Sequence, residues 1–365
     1  MLRGLKKSIY ERIKTIQKDK KIKRYNKVMI DLEKKDISLS EKEKIKEYFK
    51  RYNIEVNNFK AYAFFKNCYT FDKRYIPESL MYLYIEPFLN NKKMSIAYED
   101  KSTLEKFNNL IKVPKIFYKN IHGRYYNHED NLIDKKEIKL KDGEYIIKPS
   151  IDTNQGSGVE LLQVKNPNYK LKDKYLSFKE IEKIYEKNFL IQEKISQKGN
   201  NFNKIYSGSV NTLRVMTFRK DKEILILSVV ARFGNIGCIA DNPGRSGGIA
   251  VGVDIDKGVL KKEAFLARKI KVDRHPSTKV KVGGVKIENF DKVKEIVILL
   301  HKELKYFDLI SWDIAINENE EVCLIEMNTN FQEIIFHQTA NGPLFGKHTD
   351  YILENISKKY GGIKI

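Results

Sequence analysis

Two carboxylates and an amide near the C-terminal end of the chain have the residue types and spacing of a metal site. Residues 311–328 predict a β-hairpin in a register that sets Asp313 opposite Leu324. Side chains alternate between the faces of a strand, so Asp313, Glu326 and Asn328 share one face, with the two carboxylates as diagonal neighbours roughly 7–8 Å apart at Cα. Oxygen ligands without His or Cys favour Mg²⁺ shared with a phosphate over Zn²⁺. The alternative is a solvated face of an antiparallel sheet.

A lysine at a strand end begins the second candidate site. Lys148 lies in the apolar stretch 143–149, and a loop of small and polar residues follows, with Gly156, Ser157 and Gly158. Backbone N–H groups of such a loop approach an anion closely, and the lysine supplies a point charge for phosphate. The spacing fits neither the P-loop nor the dinucleotide-binding fingerprint. Taken alone, an ordinary hairpin turn is the alternative.

Two arginines interrupt apolar strands. Arg214 lies in the predicted strand 213–218 and Arg232 in the predicted strand 223–232. A guanidinium on a strand that faces a core needs a buried anionic partner, which a phosphate or a substrate carboxylate provides in bidentate geometry. An outward-facing or edge position is the alternative for each arginine. The histidines show no metal-binding spacing and no Ser or Cys lies in a nucleophile elbow, so metalloprotease and acyl-enzyme hydrolase functions have no support.

The elements that must position these side chains follow from the apolar periodicity. Apolar runs and alternation predict strands at 113–118, 143–149, 159–164, 189–193, 213–218, 223–232 and 249–254, and helical spacing predicts helices at 177–187 and 289–304. Earlier in the chain, Ser40 with Glu43 predicts a capping box at the start of a helix that ends near Lys50. Each candidate residue named so far therefore lies on a strand or in the loop after one.

The basic charge is concentrated at the N-terminus. The chain has 365 residues and a formal net charge of +21, of which +10 falls within residues 1–60. An apolar stripe with helical spacing runs through this segment, at Leu2, Leu5, Ile9, Ile13 and Ile16. Such a helix packs on the body of the protein or docks on an anionic membrane surface or a partner, and nucleic acid is not expected. No membrane-spanning run or secretory signal is apparent, so we expect a cytoplasmic protein with peripheral membrane contact through residues 1–27.

Short motifs occur in a defined order along the chain. They are Asp100-Lys101, Ile146-Ile-Lys-Pro149, Leu190-Ile-Gln-Glu-Lys-Ile195, Asn211-Thr-Leu-Arg214, Asp313 and Glu326-Met-Asn328. Their order and spacing resemble the ATP-grasp superfamily, whose ligases clamp ATP between two α+β subdomains. The chain is more similar to the sugar-transfer-associated ATP-grasp family. This closer resemblance is based on residues 209–217, Asp241-Asn242, 247–254, His275-Pro276, 312–316 and 342–346. The resemblance covers residues 70 to 355 and implies an α+β ATP-grasp fold with an N-terminal helical extension.

The resemblance also implies a role for each matching position. Contacts to the ATP phosphates would come from Lys101, Lys148, Gly156, Ser157 and Gly158, and the hinge against adenine would be Gln192, Glu193, Lys194 and Ile195. The Mg²⁺ ligands would be Asp313, Glu326 and Asn328. The catalytic residues would be Arg214, which stabilises the phosphoryl group in transfer, and Lys148. Contacts to the substrate would come from Arg232, Asn211 and Arg245.

Two departures from the D-alanine–D-alanine ligase pattern leave parts of this site open. Residues 196–203, after the hinge, contain no glutamate for the ribose. Asn330-Phe331 stands where those ligases have Pro-Gly after the metal-binding asparagine. The ribose contact and the acceptor side of the pocket are therefore undetermined.

The resemblance implies an ADP-forming ligase that joins a carboxylate to an amine through an acyl phosphate. The small-molecule substrates would be a sugar acid and an amino acid or another amine, for a surface polysaccharide such as capsule, O-antigen or exopolysaccharide. A kinase acting on a small polar acceptor and a non-enzymatic, membrane-docked binding protein are the alternatives. We expect four segments: the helical extension 1–60, the start of the ATP-grasp region 61–135, a subdomain with Lys148 136–195, and the C-terminal subdomain 196–365.

Overall fold

The chain divides into two compact units, which we call unit 1 and unit 2. The computed structural model describes residues 20–22, 36–151, 157–237, 239, 241, 247–267 and 270–365. Unit 1 contains Met1–Asn91 and Glu333–Ile365, and unit 2 contains Lys92–Gln332. Every residue predicted above to contact ATP, metal or substrate lies in unit 2, so one continuous stretch of chain carries them all.

Helices and strands are numbered in chain order. The helices are α1 (Leu39–Lys50), α2 (Lys60–Cys68), α3 (Glu78–Leu80), α4 (Glu86–Leu89), α5 (Lys92–Tyr98), α6 (Phe178–Tyr185), α7 (Asn201–Ile205), α8 (Phe290–Glu303), α9 (Ile334–Asn341) and α10 (Thr349–Tyr360). A π-helical turn joins α3 to α4 (Met81–Ile85), and 3₁₀-helical turns lie at Lys101–Phe107, Lys135–Glu137 and Gly346–His348. The strands are β1 (Ile54–Glu55), β2 (Ile116–Ile121), β3 (Arg124–Asn127), β4 (Leu132–Ile133), β5 (Gly143–Pro149), β6 (Glu160–Lys165), β7 (Asn168–Leu171), β8 (Lys174–Leu176), β9 (Phe189–Glu193), β10 (Thr212–Lys220), β11 (Glu223–Phe233), β12 (Ile249–Asp254), β13 (Val259–Leu266), β14 (Ile270–Val272), β15 (Leu309–Ile316), β16 (Val322–Asn328) and β17 (Ile363–Lys364).

Unit 1 is mainly helical, and its first described helix starts earlier than the sequence predicted. The Ser38 side chain accepts a hydrogen bond from the Glu41 backbone, while the Glu41 carboxylate accepts one from the Ser38 backbone. The predicted capping box of Ser40 with Glu43 is therefore wrong. Both pairs have the same spacing, and the earlier pair adds about half a turn to the helix. No helix among the described residues has the length and apolar character needed to cross a bilayer.

The two sequence segments of unit 1 are joined by a strand pair and by side chains. Strand β1 pairs in parallel with β17 at the other end of the chain. Tyr48 and Tyr52 of α1 both donate hydrogen bonds to the Asp350 carboxylate of α10, each at 2.7 Å. The described part of the predicted N-terminal extension therefore shares a unit with residues 333–365.

The first sheet of unit 2 has eight antiparallel strands in the order β4-β3-β2-β9-β5-β6-β7-β8. One face is apolar and buried, and Ile147 and Ile191 of this face form a core with Ile181 of α6. Because side chains alternate along a strand, Lys148 and Gln192 point to the opposite face. The sheet therefore separates an apolar core from a face that carries predicted site residues.

The second sheet of unit 2 has seven antiparallel strands in the order β14-β13-β12-β11-β10-β15-β16. Its core face includes Val215 and Trp312 and packs with Val293 of α8. Arg214 and Asp313 are the sequence neighbours of these apolar residues, so they lie on the other face. This face is polar although it is buried.

The predicted hairpin is present as β15 and β16, but its register differs from the prediction. Asp313 pairs directly with Glu326 for two reasons. The turn is one residue longer than predicted, so that Ile316 pairs with Val322, and a bulge at Ile325 places a second extra residue on β16. The predicted pairing of Asp313 with Leu324 is therefore wrong. Asp313, Glu326 and Asn328 still share one face, and the two carboxylates are direct cross-strand partners, which is closer than the predicted diagonal arrangement.

Candidate functional site

A row of side chains crosses the polar face of the seven-stranded sheet. Arg214 on β10 pairs with Asp313 on β15, and Asp313 pairs with Glu326 on β16. Thr212, two residues before Arg214, pairs with Arg232 on β11. Cross-strand partners share a face, so all five side chains point to the same side of the sheet. The structure thus brings four of the predicted site residues together.

Asp313 lies at the centre of a buried ion-pair network. Arg214 donates to its carboxylate from Nε at 2.7 Å and from Nη2 at 2.8 Å, and Arg232 Nη2 donates to Oδ2 at 2.8 Å. The three side chains are only 7% exposed. Burial by itself would raise the pKa of Asp313, but the two guanidinium groups hold that pKa below its ordinary value. The carboxylate is therefore ionised, and its orientation is fixed.

Arg232 has a second carboxylate partner, Asp241, at 3.2 Å from its Nη2. The hydroxyl of Thr212 donates to Asp241 and accepts hydrogen bonds from the Arg232 guanidinium. Burial raises the pKa of Asp241, and the charge of Arg232 opposes this rise. The buried anionic partners of both arginines therefore come from the chain itself, which corrects the expectation that a phosphate or a substrate carboxylate supplies them.

Glu326 and Asn328 extend the row to the edge strand β16. Lys101 Nζ lies 3.6 Å from the Glu326 carboxylate. The Nδ2 atom of Asn328 is buried and has no hydrogen-bond partner among the residues that the structure describes. A buried amide without a partner costs free energy, so a polar ligand beside Asn328 would stabilise this part of the strand.

The three predicted metal ligands fit a divalent cation such as Mg²⁺. An ionised carboxylate has about four acceptor positions, and the arginines use three of those on Asp313, so one position on Oδ1 remains. Glu326 and Asn328 add carboxylate and amide oxygens, which Mg²⁺ prefers. The described chain contains no group of three or more His, Cys, Asp or Glu residues that could hold a metal ion. A cation here would therefore depend on water and on phosphate oxygens of a ligand, as Mg²⁺ does in nucleotide sites.

Lys148 is a buried cation at the end of β5. Among the described residues its Nζ has no hydrogen-bond or ion-pair partner. Burial, together with the neighbouring charge of Lys101, lowers the pKa of its ammonium to about 7, and Glu326 partly opposes both effects. By contrast, the buried Lys119 of β2 contacts Glu105 at 3.0 Å and also Asp130. A buried ammonium without a counter-charge favours the binding of an anion beside it.

Lys101 is held near Lys148 by its own backbone. The backbone N–H of Lys101 donates to the carbonyl of Ser150, two residues after Lys148, at 2.9 Å. The Asp100 side chain caps the following 3₁₀-helical turn by accepting from the Ser102 N–H at 2.9 Å. The predicted Asp100-Lys101 motif therefore caps a turn with its aspartate and presents its lysine to the site.

The structure describes Ser157 and Gly158 of the predicted phosphate loop, whereas Gly156 lies outside the described residues. Gly158 has a φ of +78°, and a Cβ atom there would lie 2.9 Å from the ring of Pro149. The hydroxyl of Tyr185 donates to the Gly158 carbonyl at 3.0 Å. The end of the loop therefore requires a glycine and is fixed close to β5.

The predicted adenine hinge begins at the end of β9. Gln192 and Glu193 are the last residues of this strand, and the Glu193 N–H donates to the Lys115 carbonyl at 2.8 Å. Lys194 and Ile195 follow directly. Since β9 lies between β2 and β5, the backbone groups of its last residues are used in hydrogen bonds within the sheet. Lys194 and Ile195 are thus the two predicted hinge residues that lie beyond the strand.

The segment after the hinge is bonded to the hairpin β15–β16. The Ser196 hydroxyl donates to the Glu318 carboxylate at 2.6 Å, and the Glu318 N–H donates to the Ser196 carbonyl at 2.7 Å. Side chains of Gln197 and Asn200 both donate to the Ile316 carbonyl, at 3.0 and 2.9 Å. The predicted hinge and the hairpin with the predicted metal ligands therefore belong to one hydrogen-bonded block.

The predicted substrate-binding residues have different positions. Arg232 belongs to the ion-pair network. Asn211 is fully buried, and its amide donates to the carbonyls of Phe202 and Tyr206 and accepts from Ser209, so it does not reach the row of charges. Arg245 lies outside the described residues.

Glu99 is a residue of this region that the sequence reasoning missed. Its carboxylate accepts hydrogen bonds from Thr329 and Asn330, which directly follow the predicted metal ligand Asn328. Burial raises the pKa of Glu99, and these hydrogen bonds oppose the rise. Its hydrogen-bond partners lie 230 or more positions away in the sequence. The one feature near it that could have indicated a role is its position directly before the Asp100-Lys101 motif.

The fold and the site together define an enzyme class. Two antiparallel sheets present lysines, arginines and cation-binding oxygens, which is the arrangement expected of an ATP-grasp enzyme. The chain belongs to the sugar-transfer associated ATP-grasp family, which it matches over residues 82–354. This match covers most of the chain and confirms the predicted family and the α+β ATP-grasp fold.

Comparison with solved structures gave similarities at low sequence identity. The D-Ala:D-Ser ligase VanG from Enterococcus faecalis is 14% identical, with 72% of this chain and 61% of that chain covered and a TM-score of 0.42. The D-alanine–D-alanine ligase from Bacillus anthracis is 12% identical, with 74% and 68% covered and a TM-score of 0.38. The L-amino acid ligase from Bacillus licheniformis is 10% identical, with 73% and 50% covered and a TM-score of 0.38. The chain thus spans less than two thirds of the length of the Enterococcus ligase. A separate search among curated proteins found no significant match.

Proposed function

We propose that this protein is an ADP-forming ligase that joins a carboxylate to an amine at the expense of ATP. The observation that carries the proposal is Lys148, a buried ammonium close to Lys101 and Glu326 and without a counter-charge of its own among the described residues. The triphosphate of ATP is the anion that an ATP-grasp enzyme would bind beside this ammonium. Lys101 and Lys148 bind its phosphates, and the hinge at Lys194 and Ile195 binds adenine through backbone groups.

Mg²⁺ is the proposed metal cofactor. Asp313, Glu326 and Asn328 would hold it, because they contribute two carboxylates and an amide from one face of a hairpin. When bound, the cation neutralises charge on the phosphate oxygens during phosphoryl transfer. Asp313 is already ionised and fixed by Arg214 and Arg232, so it needs no reorganisation to act as a ligand.

The reaction that we propose has two steps. A carboxylate oxygen attacks the γ-phosphorus of ATP, the bond to the β–γ bridging oxygen breaks, and an acyl phosphate and ADP result. The amine nitrogen then attacks the acyl carbon, inorganic phosphate leaves, and the nitrogen loses a proton. Arg214 stabilises the phosphoryl group in transfer, because Asp313 holds its guanidinium in one orientation.

The substrate class that we propose is a sugar acid with an amino acid or another amine. The sugar-transfer association of the family supports this class, and a role in surface polysaccharide synthesis follows from it. Arg232 is the proposed contact to the carboxylate substrate through its Nη1, since its contacts to Thr212, Asp313 and Asp241 use Nε and Nη2. We also propose a cytoplasmic protein whose residues 1–27 contact an anionic membrane face, because that segment combines an apolar stripe with excess lysine and arginine.

A product assay tests this function. ADP and phosphate are measured with uronic acids and amino acids supplied separately and together, with Glu326→Gln as the inactive control. The proposal requires stoichiometric ADP and phosphate only when both substrates are present. A stable phosphorylated product formed with one substrate alone would identify a kinase, and release of AMP would contradict both activities.

A further inference from the structure

Glu99 connects two parts of the site that are far apart in the sequence. Its Oε1 atom accepts hydrogen bonds from the Thr329 N–H at 2.7 Å, from the Thr329 hydroxyl at 3.0 Å and from the Asn330 N–H at 3.0 Å. One carboxylate oxygen therefore holds the first turn of chain after β16. The same residue lies two positions before Lys101.

The turn that Glu99 holds begins directly after the proposed metal ligand Asn328. Asn328 is the last residue of the edge strand β16, and its backbone is paired on one side only, with Ser311 of β15. Beyond it the chain leaves the sheet, and Phe331 adopts a left-handed backbone conformation with a φ of +53°. A strand end of this kind is free to shift unless something fixes it. The three hydrogen bonds to Glu99 restrain Thr329 and Asn330, and Gln332 farther along is held to Ser311 and Leu309 of β15.

Asn328 differs from the two carboxylates of the proposed ligand set in how it is held. Asp313 is held by two arginines, and Glu326 lies beside Lys101, so both carboxylates are oriented by neighbouring charges. Asn328 has no such neighbour, since its Nδ2 has no hydrogen-bond partner among the described residues. Its position therefore depends on the backbone around it, and Glu99 fixes the residue that follows.

We propose that Glu99 is a positioning residue that sets the place of Asn328 for the divalent cation. This inference rests on the proposed function, since it needs a metal at Asp313, Glu326 and Asn328. Glu99 acts through the Thr329–Asn330 backbone and does not itself touch the cation. The residue contributes by accepting hydrogen bonds, so a neutral acceptor of the same shape would replace it.

The test compares Glu99→Ala with Glu99→Gln in the full chain. Binding of Mn²⁺ in the presence of ADP is followed by electron paramagnetic resonance, which needs no turnover, and the KM values for Mg²⁺ and for ATP are measured in parallel. We expect Glu99→Ala to weaken Mn²⁺ binding and to raise the KM for Mg²⁺ by at least about tenfold, the effect typical of lost support for a metal ligand. Glu99→Gln should stay within about threefold of the wild type, because its amide oxygen still accepts from all three donors.

The controls separate this idea from a loss of folding and from a failure of the proposed function. Binding of ADP without a divalent cation should be equal in all variants, because it depends on the lysines. Glu263→Gln, which changes an exposed glutamate of β13, should behave as the wild type in every measurement. Unchanged Mn²⁺ affinity in Glu99→Ala, or equal losses in Glu99→Ala and Glu99→Gln, would overturn the positioning role. If the wild-type protein itself bound no Mn²⁺ with ADP, the proposed metal-dependent function would be wrong.

Discussion

Nucleotide binding should be accompanied by uptake of a proton at Lys148. Burial and the neighbouring charge of Lys101 lower the pKa of this lysine to about 7 from its ordinary 10.5 when no nucleotide is bound. A triphosphate beside it would favour the charged form and return the pKa towards its ordinary value. Between these two pKa values the free protein lacks a proton that the complex holds, so binding must take that proton from the solvent.

The expected size of this effect follows from the two pKa values. At pH 8 the free Lys148 is about one-tenth protonated and the bound form is almost fully protonated, so about 0.9 proton is taken up per nucleotide. The same linkage weakens binding as the pH rises above 7. From pH 7 to pH 9 the Kd should increase about fiftyfold, or ~2.3 kcal/mol.

Isothermal titration calorimetry measures the uptake directly. A non-hydrolysable ATP analogue is titrated with Mg²⁺ at pH 8 in buffers of different ionisation enthalpy, and the slope of the observed enthalpy against that enthalpy gives the proton number. The terminal phosphate of the nucleotide is already deprotonated at this pH. Lys148→Met removes the titrating group, whereas Lys101→Met removes a neighbouring cation and leaves Lys148 in place.

The three proteins should differ in the number of protons that they take up. The wild type should take up close to one proton. Lys101→Met should take up less, because loss of the Lys101 charge lets the pKa of free Lys148 rise, and Lys148→Met should take up none while binding more weakly. A proton number near zero for the wild type at pH 8 would refute the link between burial of Lys148 and nucleotide binding. Equal uptake by Lys148→Met would move the effect to another group.

Asp313→Asn should lower stability by ~3–5 kcal/mol in urea unfolding and abolish ADP release, because it leaves two buried guanidinium groups without their shared carboxylate. Glu326→Gln should also abolish ADP release but change stability by less than about 1 kcal/mol, since Glu326 is 28% exposed and has one ion pair at 3.6 Å. Equal losses of stability in Asp313→Asn and Glu326→Gln would contradict this distinction. Gly158→Ala should destabilise by ~1–3 kcal/mol, because φ is +78° and Pro149 is too close for a Cβ atom, and an unchanged urea midpoint would argue against that crowding. Deleting residues 1–27 should spare ATP turnover and reduce co-sedimentation with anionic vesicles, whereas lost turnover would make the segment part of the fold.

The strands with continuous apolar runs could be located from the sequence. The predicted boundaries of β5, β9 and β12 agree with the structure, because each is a short run of apolar residues bounded by glycine, proline or charged residues. Lys148 and Gln192 could therefore be placed on the right strands. Strands with mixed polar sequences, such as β7 and β14, carry too little apolar alternation to be recognised and were not predicted.

The contacts that give the site its charge balance could not be predicted. The pairing of Arg214 with Asp313 joins residues 99 positions apart, and it depends on which strands become neighbours in the sheet. The predicted hairpin register was wrong for two local reasons, a turn one residue longer than predicted and the bulge at Ile325, and the side chains around them signal neither. Residue types showed what the site can bind, whereas strand order determined which charges neutralise each other.

The division of unit 1 into two sequence segments has a consequence for how the protein is made. Unit 2 is continuous, so a ribosome finishes Lys92–Gln332 before it makes α9, α10 and β17. Domains that are complete during synthesis can fold before the rest of the chain appears. Strand β1 and the tyrosines of α1, by contrast, must wait for β17 and Asp350. The nascent chain thus passes through a stage in which unit 2 is complete while β1 and α1 still lack their partners from the end of the chain.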